Sequence, residues 1–440
     1  MVKRKATLVL LAIVLVFTGC RGGGEKPATV SPPRAPGEVI TLEFWYSLGG
    51  SSGEAVEALV AEFNQAHSGI KVNATYQGGY AEIMAKVWSA VYAQETLPQV
   101  AHVGAAPLLG DTGAIVPITD FTDGASGIDR SLIRDAFWGY NSAQGKIWSM
   151  PFNNSVPLLY YNRDLFVQAG LDPDGPPQTW EEVIAYGKAL TRDTDGNGEI
   201  DQWGLNTHTD THWYLSAMFL ENGARIISDN ETEVLYNSPE AVQMLELWGK
   251  LVTENKVMPA AQHNEAKSDF LAGKLGMFLA SSANLPSFLE EASFQLGVAP
   301  LPSVAGQEPV EPIGGASLVI FQNEDRAVLD ASWEFVKWMT SPQSSLYLST
   351  KTGYVPIYKD ALDWPELASY FEENRLRRVP VEALEYSYAI PVFASLGTSD
   401  GQLRQAVEAV ELGAATAQDA LNAAKTAVDA DIAERLQEQE

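Results

Sequence analysis

Pro151-Phe152-Asn153-Asn154-Ser155-Val156-Pro157-Leu158-Leu159-Tyr160-Tyr161-Asn162 opens as polar loop and closes as an apolar run of strand type. Small amide and hydroxyl side chains held between two prolines suit a rigid passage lining a cleft for a polar small molecule. A loop feeding a strand in this way can be a crossing between two lobes. The same residues also read as a β-turn ahead of a buried strand.

The surrounding chain has room for either reading. At 440 residues and 46% hydrophobic content it is long enough for two or three domains with real cores. The formal net charge is −27, falling to about −30 if Lys3, Arg4 and Lys5 are removed with a leader. Such an acid-rich chain is a poor partner for nucleic acid or an anionic membrane surface, although a local basic pocket for an anion stays compatible with it.

Lys3-Arg4-Lys5, the apolar run Leu8 to Phe17 and then Thr18-Gly19-Cys20 form the three parts of a secretory leader, too short to span a bilayer. Residues 1–19 are expected to be that leader. The ending resembles the lipobox of bacterial lipoproteins, in which Cys20 becomes the lipidated first residue, with Phe17 where leucine is usual. An uncleaved segment with an ordinary Cys20 is the alternative. Cys20 is the only cysteine, so no intramolecular disulfide can form. Residues 20–38, rich in Gly and Pro, read as a flexible tether.

The folded part begins with Ile40, Leu42 and Phe44 alternating as in a half-buried strand. Val56, Leu59, Val60 and Phe63 at helical spacing follow, then a strand around Ile70 to Tyr76 and a helix after Tyr80. Strand, helix, strand, helix predicts an α/β lobe with a largely parallel sheet, whose ligands bind beyond the carboxyl ends of the strands, where Gln77-Gly78-Gly79-Tyr80 falls. Thr179-Trp180-Glu181-Glu182 and Thr416-Ala417-Gln418-Asp419 have the spacing of capping boxes. Gly276 to Ser282 reads as a buried strand ending in hydroxyl residues, Gly297 to Gly315 as a second crossing, and Lys351 to Ile357 as a third.

Asp193, Asp195, Asn197 and Asp201, with Glu199 and a Gly at position 198, follow the alternating oxygen ligands of an EF-hand-type calcium loop. Gly204 stands at the twelfth position in place of the bidentate Glu, and a solvated acidic turn explains the loop equally well. His208 and His212 are spaced to share a helix face, but read as polar or cleft-lining histidines rather than metal ligands. Trp213 and Tyr214 beside them offer faces for a sugar ring or a quaternary ammonium, or are simply core. Gly397-Thr398-Ser399-Asp400-Gly401 fits the Gly-x-Ser-x-Gly pattern, yet no convincing strand precedes it, and no Walker A loop occurs. The chain is read as a binding protein rather than an enzyme. A structural or adhesion lipoprotein is the remaining class.

Phe152-Asn153-Asn154-Ser155, Leu158 to Phe166, Ala169-Gly170-Leu171-Asp172-Pro173 and Pro176 to Trp180 together resemble the extracytoplasmic solute-binding proteins of ABC importers. Ile313 to Leu318 and Lys351 to Ile357 extend the likeness, which is nearest to the sn-glycerol-3-phosphate-binding proteins. The resemblance implies a two-lobe, type II-like α/β fold hinged by about three crossings. It assigns residues 39–152 and 316–352 to an N-terminal lobe, and 153–315 and 353–440 to a C-terminal lobe. It places Tyr80, Ser155, Ser281, Gly315, Tyr354 and Arg404 at ligand-binding positions, Arg404 as the planar charged fork for a phosphate. Where the family has an acidic residue for the glycerol hydroxyls, this chain has Ala105, which leaves room for a larger ligand. The implied protein is a lipid-anchored, monomeric, extracytoplasmic partner of ABC permease subunits. It captures glycerol-3-phosphate or a glycerophosphodiester, or alternatively a mono- or oligosaccharide, with Ca²⁺ as its sole candidate ion and no cofactor.

Overall fold

The structure, a computed structural model, describes residues 38–439; the expected leader, Cys20 and nearly all of the tether lie outside the described residues. The chain begins with β1 (Ile40–Tyr46), α1 (Gly50–Ala66), β2 (Ile70–Tyr76), α2 (Tyr80–Ala93) and β3 (Val100–Val103). Leu42 and Phe44 are buried and Thr41 and Glu43 exposed, the alternation of a strand with one covered face. β4 (Met150–Ser155) and β5 (Pro157–Asn162) follow, separated by Val156 alone. Next come α3 (Trp180–Leu190), β6 (Trp203–Thr207), α4 (Thr211–Glu221), α5 (Pro239–Thr253), β7 (Leu275–Ser281) and β8 (Leu296–Pro300). The chain ends with β9 (Gly314–Ile320), α6 (Arg326–Met339), α7 (Pro342–Thr352), α8 (Leu396–Glu411) and α9 (Ala417–Gln439).

Two sheets divide these strands, in the orders β2-β1-β3-β9-β4 and β8-β5-β7-β6. β1 pairs in parallel with β2 and β3, but β9 runs antiparallel to both β3 and β4. The first sheet is therefore mixed, not largely parallel. Alternation of strand and helix identifies the parallel trio, but β4 and β9 connect to the other sheet and carry no helical crossover to signal their direction.

The apolar run of β5 is continuous because both its faces are covered. Leu158 and Tyr160 join a core with Phe44, Leu318 and Ile320, while Leu159 and Tyr161 join a second core with Leu215 and Trp248. Ile83 and Val87 of α2 cover the other face of the first sheet, against Val103 and Val319. At the second crossing, buried Glu221 accepts from the backbone N–H of Val304 (2.8 Å) and Val310 (3.0 Å). Glu311 accepts from Leu301 N–H (2.9 Å), so two carboxyl groups tie down the Pro-rich passage.

Local signals fared unevenly. Thr179 caps α3 by accepting from Glu182 N–H, while Glu182 reaches Gln178 N–H (2.7 Å), one residue ahead of the cap itself. Thr416 caps α9 by accepting from Asp419 N–H (3.1 Å) and donates to its carboxylate (2.8 Å). His208 lies before α4, so it shares no helix face with His212. Gly397 to Gly401 lies inside the first turns of α8, without the strand-to-helix turn that exposes a nucleophile.

Candidate ligand-binding cleft

Strand register assembles the cleft. Ser155, the last residue of β4, pairs with Gly314; two residues on, Pro157 pairs with Ser281 at the end of β7. Asn154 bridges to Val355, whose N–H donates to the Asn154 carbonyl (2.8 Å) and so fixes the neighbouring Tyr354. Tyr80 begins α2, just past Gly78-Gly79. These pairings bring Tyr80, Ser155, Ser281, Gly315 and Tyr354 onto one cavity of about 400 Å³. Arg404 is not among its lining residues. It is exposed on α8 and lines an adjoining groove of about 380 Å³ with Thr209, Thr211 and His263.

One wall is internally wired. His102, fully buried, donates from Nε2 to Asn153 Oδ1 (2.6 Å) and accepts at Nδ1 from Ser47 N–H (3.4 Å); this tautomer is assigned because Asn153 Oδ1 also accepts from Ala316 N–H (3.1 Å). Burial lowers the His102 pKa to about 4, so the ring is neutral. Asn153 Nδ2 donates to the Tyr80 hydroxyl (2.7 Å), which stands 3.4 Å from the Tyr354 hydroxyl. Tyr140 donates to the Gly315 carbonyl (3.1 Å), and burial pushes its pKa up to about 12. Gly315 has φ +103°, and a Cβ there would lie 2.0 Å from the Asn153 carbonyl oxygen, so only glycine fits. Ala105 adopts a left-handed conformation (φ 47°) and puts no polar side-chain atom on this wall.

The opposite wall is built from α4, its preceding loop and the start of α8: Asp210, His212, Trp213, Ser399 and Asp400. Trp213 packs so closely on Gly314 that a Cβ there would meet its ring at 2.8 Å. Tyr214, its neighbour, is core instead, donating to the Leu279 carbonyl (3.0 Å). Burial lowers His212 to about 4, and its Nδ1 is buried without a partner. Its Nε2 stands 3.7 Å from Asp400 Oδ2, beyond hydrogen-bond reach. Burial raises the Asp400 pKa to about 7; Asp210 adds to the rise and Arg404 opposes it. For Asp210 burial is the largest single influence and acts upward, but the hydrogen bond with His208 (3.0 Å) and the nearby His208, His212 and Arg404 together outweigh it and hold the carboxyl below its usual range. Among the described residues no lysine or arginine lines the cavity.

Sequence reasoning singled out Trp213 but missed Tyr140, Asp210 and Asp400. A helix-surface Asp carries no signal of its own, and the partners that make Asp400 distinctive come from α4, far away in the chain. In the acidic loop, Asp193, Asp195 and Asp201 bring carboxylate oxygens within 4.8 Å of one another, whereas Glu199 does not join them. Asp193 already accepts from the N–H groups of Gly196 (2.7 Å) and Gly198 (2.7 Å). The donors are all hard oxygens, as calcium requires.

A cavity at the junction of two sheets, walled from both sides and lined by polar groups together with Ile226, Ile313, Ile390, Leu396 and Leu403, fits a two-lobed solute-binding protein. Residues 58–373 match the bacterial extracellular solute-binding protein family, and the chain belongs to that family. It is an extracytoplasmic substrate-binding component of ABC transport. It is similar to the sn-glycerol-3-phosphate-binding periplasmic protein UgpB of Salmonella typhimurium, 28% identical over 445 residues, 98% of this chain and 97% of that protein. The UgpB protein of Escherichia coli is 30% identical over 347 residues, 76% and 78% of the two chains. Among solved structures, the cyclic α-maltosyl-1,6-maltose binding protein of Arthrobacter globiformis superposes with a TM-score of 0.78 at 24% identity, covering 90% of this chain and 99% of that one. UgpB of Mycobacterium tuberculosis, in complex with glycerophosphocholine, gives 0.76 at 24% identity over 91% and 98%.

Proposed function

We propose that this chain is a lipid-anchored binding protein, tethered through Cys20, that captures a glycerophosphodiester and delivers it to the permease subunits of an ABC importer. The observation that carries this reading is the convergence of Tyr80, Ser155, Ser281, Gly315 and Tyr354 on one cavity. Hydroxyl groups with backbone N–H groups suit phosphate oxygens, and the curated relatives are glycerol-3-phosphate-binding proteins. A diester fits better than the monoester for two reasons. A dianionic monoester calls for a cation in the cavity, and among the described residues none lines it. The volume of about 400 Å³ also leaves space for a second substituent. Arg404, at the rim, supplies its charge from the adjoining groove. Contacts made to both walls at once favour the closed form, which is how the ligand shifts the open-to-closed equilibrium.

A neutral saccharide is the second reading, favoured by the Trp213 ring and the two carboxylates in a cavity that Arg404 does not line. Calorimetry on the chain lacking residues 1–20, with glycerol-3-phosphate, glycerophosphocholine and maltose, separates the two. Glycerophosphocholine is expected to bind most tightly and to be weakened by Arg404→Ala. Binding of maltose alone, indifferent to Arg404→Ala, would establish the saccharide reading instead. The proposal includes a monomer and, at Asp193, Asp195 and Asp201, a structural Ca²⁺ read out as a calcium-dependent rise in melting temperature.

A further inference from the structure

Asp400 has an unusual position for a carboxylate. It lines the cavity, its side chain is 34% exposed, and no hydrogen bond among the described residues ends on it; His212 Nε2 stands 3.7 Å away. The helix that carries it cannot easily shift toward a partner, because α8 is held along its length. At the far end of that helix, buried Glu411 accepts from Trp248 Nε1 (2.7 Å) and Ala261 N–H (2.8 Å) and meets His263 Nε2 (3.1 Å). α8 also packs on α5 and α9. A partly desolvated carboxylate without donors is costly, and a ligand that brings O–H groups offsets that cost. The first wall has no carboxylate: its hydroxyl and amide groups are largely occupied with one another, and Ala105 offers none.

We infer that Asp400 is the hydroxyl anchor of the cleft, receiving two neighbouring O–H groups from the polyol end of the solute on the second-lobe wall. This rests on the solute-binding reading above and deepens it, because it orients the ligand with its polyol end toward α8. The groups facing Asp400 fit the role. Asp210 repels it, His212 is neutral, Tyr140 and Tyr236 are protonated phenols, and Arg404 lies one helical turn away. In the free protein its pKa is raised to about 7. Hydrogen bonds donated by the ligand favour the charged form, so binding near neutral pH releases a proton, and affinity falls as the pH drops below 7.

The test is calorimetry at pH 7 with glycerophosphocholine and maltose, each in two buffers of different ionisation enthalpy. The wild-type chain should release protons with whichever probe it binds. Asp400→Asn should weaken that probe about tenfold to a hundredfold and abolish the release, with the melting temperature of the free protein at pH 7 no lower than that of the wild type, because the cost of the unpaired charge is removed. Unchanged affinity in Asp400→Asn, or no proton release from the wild type, overturns the assignment. The proton count uses the unaltered chain, so a misfolded variant does not remove the test. Binding of choline chloride alone that is lost in Asp400→Asn also overturns it, in favour of a cation site. Failure of both probes to bind the wild type overturns the solute class itself, which is a distinct result.

Discussion

The two walls of the cleft face the same cavity with opposite states of satisfaction. On the first, His102, Asn153, Tyr80 and Tyr354 form a chain in which each polar group has a protein partner. On the second, the His212 Nδ1 has none and the Asp400 carboxylate accepts no hydrogen bond among the described residues. A fully partnered network specifies one geometry, whereas unsatisfied groups gain most from an incoming ligand. The first wall therefore sets the shape of the cleft, and the second supplies the appetite for its contents.

The largest expected effect tests the rigidity of the first wall. Gly315→Ala should cost about 4 kcal/mol of unfolding free energy in urea, because φ is positive and the new Cβ meets the Asn153 carbonyl at 2.0 Å. A loss under about 1 kcal/mol would mean that the wall yields and the contrast is overstated.

Acid should act through the same wall. The folded pKa of His102, about 4, lies below the ordinary histidine value of 6.5, so between these values the unfolded chain binds more protons and stability falls as the pH drops. That shift corresponds to about 3 kcal/mol lost by pH 4, present in full above pH 6.5. Urea titrations at pH 7 and pH 4.5 check it, with His102→Gln expected to flatten the slope. Smaller again, Asn153→Ala strands His102 Nε2–H and Ala316 N–H and should cost about 2 kcal/mol.

On the second wall, His212→Ala should change stability by about 1 kcal/mol or less, a packing loss alone, since its ring holds no hydrogen bond in place. Calorimetry on the same variant should nevertheless register altered ligand affinity. A variant that lost stability and kept its affinity would reverse the comparison.

What could be read from the chain follows the same division. The passage from Pro151 to Asn162, the hydroxyl end of β7 and Gly315 belong to β-strand pairing at the lobe junction, where local pattern and register coincide. Both capping boxes were legible because a cap is a contact over three residues. The direction of β9 was not, because it depends on which sheet the chain has just left. Asp210 and Asp400 were illegible because their meaning comes from facing each other across α4 and α8. Arg404 shows the limit from the other side: resemblance supplied its residue type and helix, while the angle about the helix axis that turns it into the neighbouring groove is set by the packing of Leu403 and Val407 into the core.

Val156 joins β4 to β5 as a single buried link, and Ser155, Gly315 and Tyr354 all sit beside the strands and turns where the chain changes sheet. In mechanical terms a solute held by these residues, as proposed, would grip the axle of the two lobes. A rim travels through an arc proportional to its distance from the axle, so a displacement of tenths of an ångström at these contacts becomes a wide sweep at the outer surfaces. A membrane partner need never touch the solute to gauge it; the posture of the rims reports the load at the pivot.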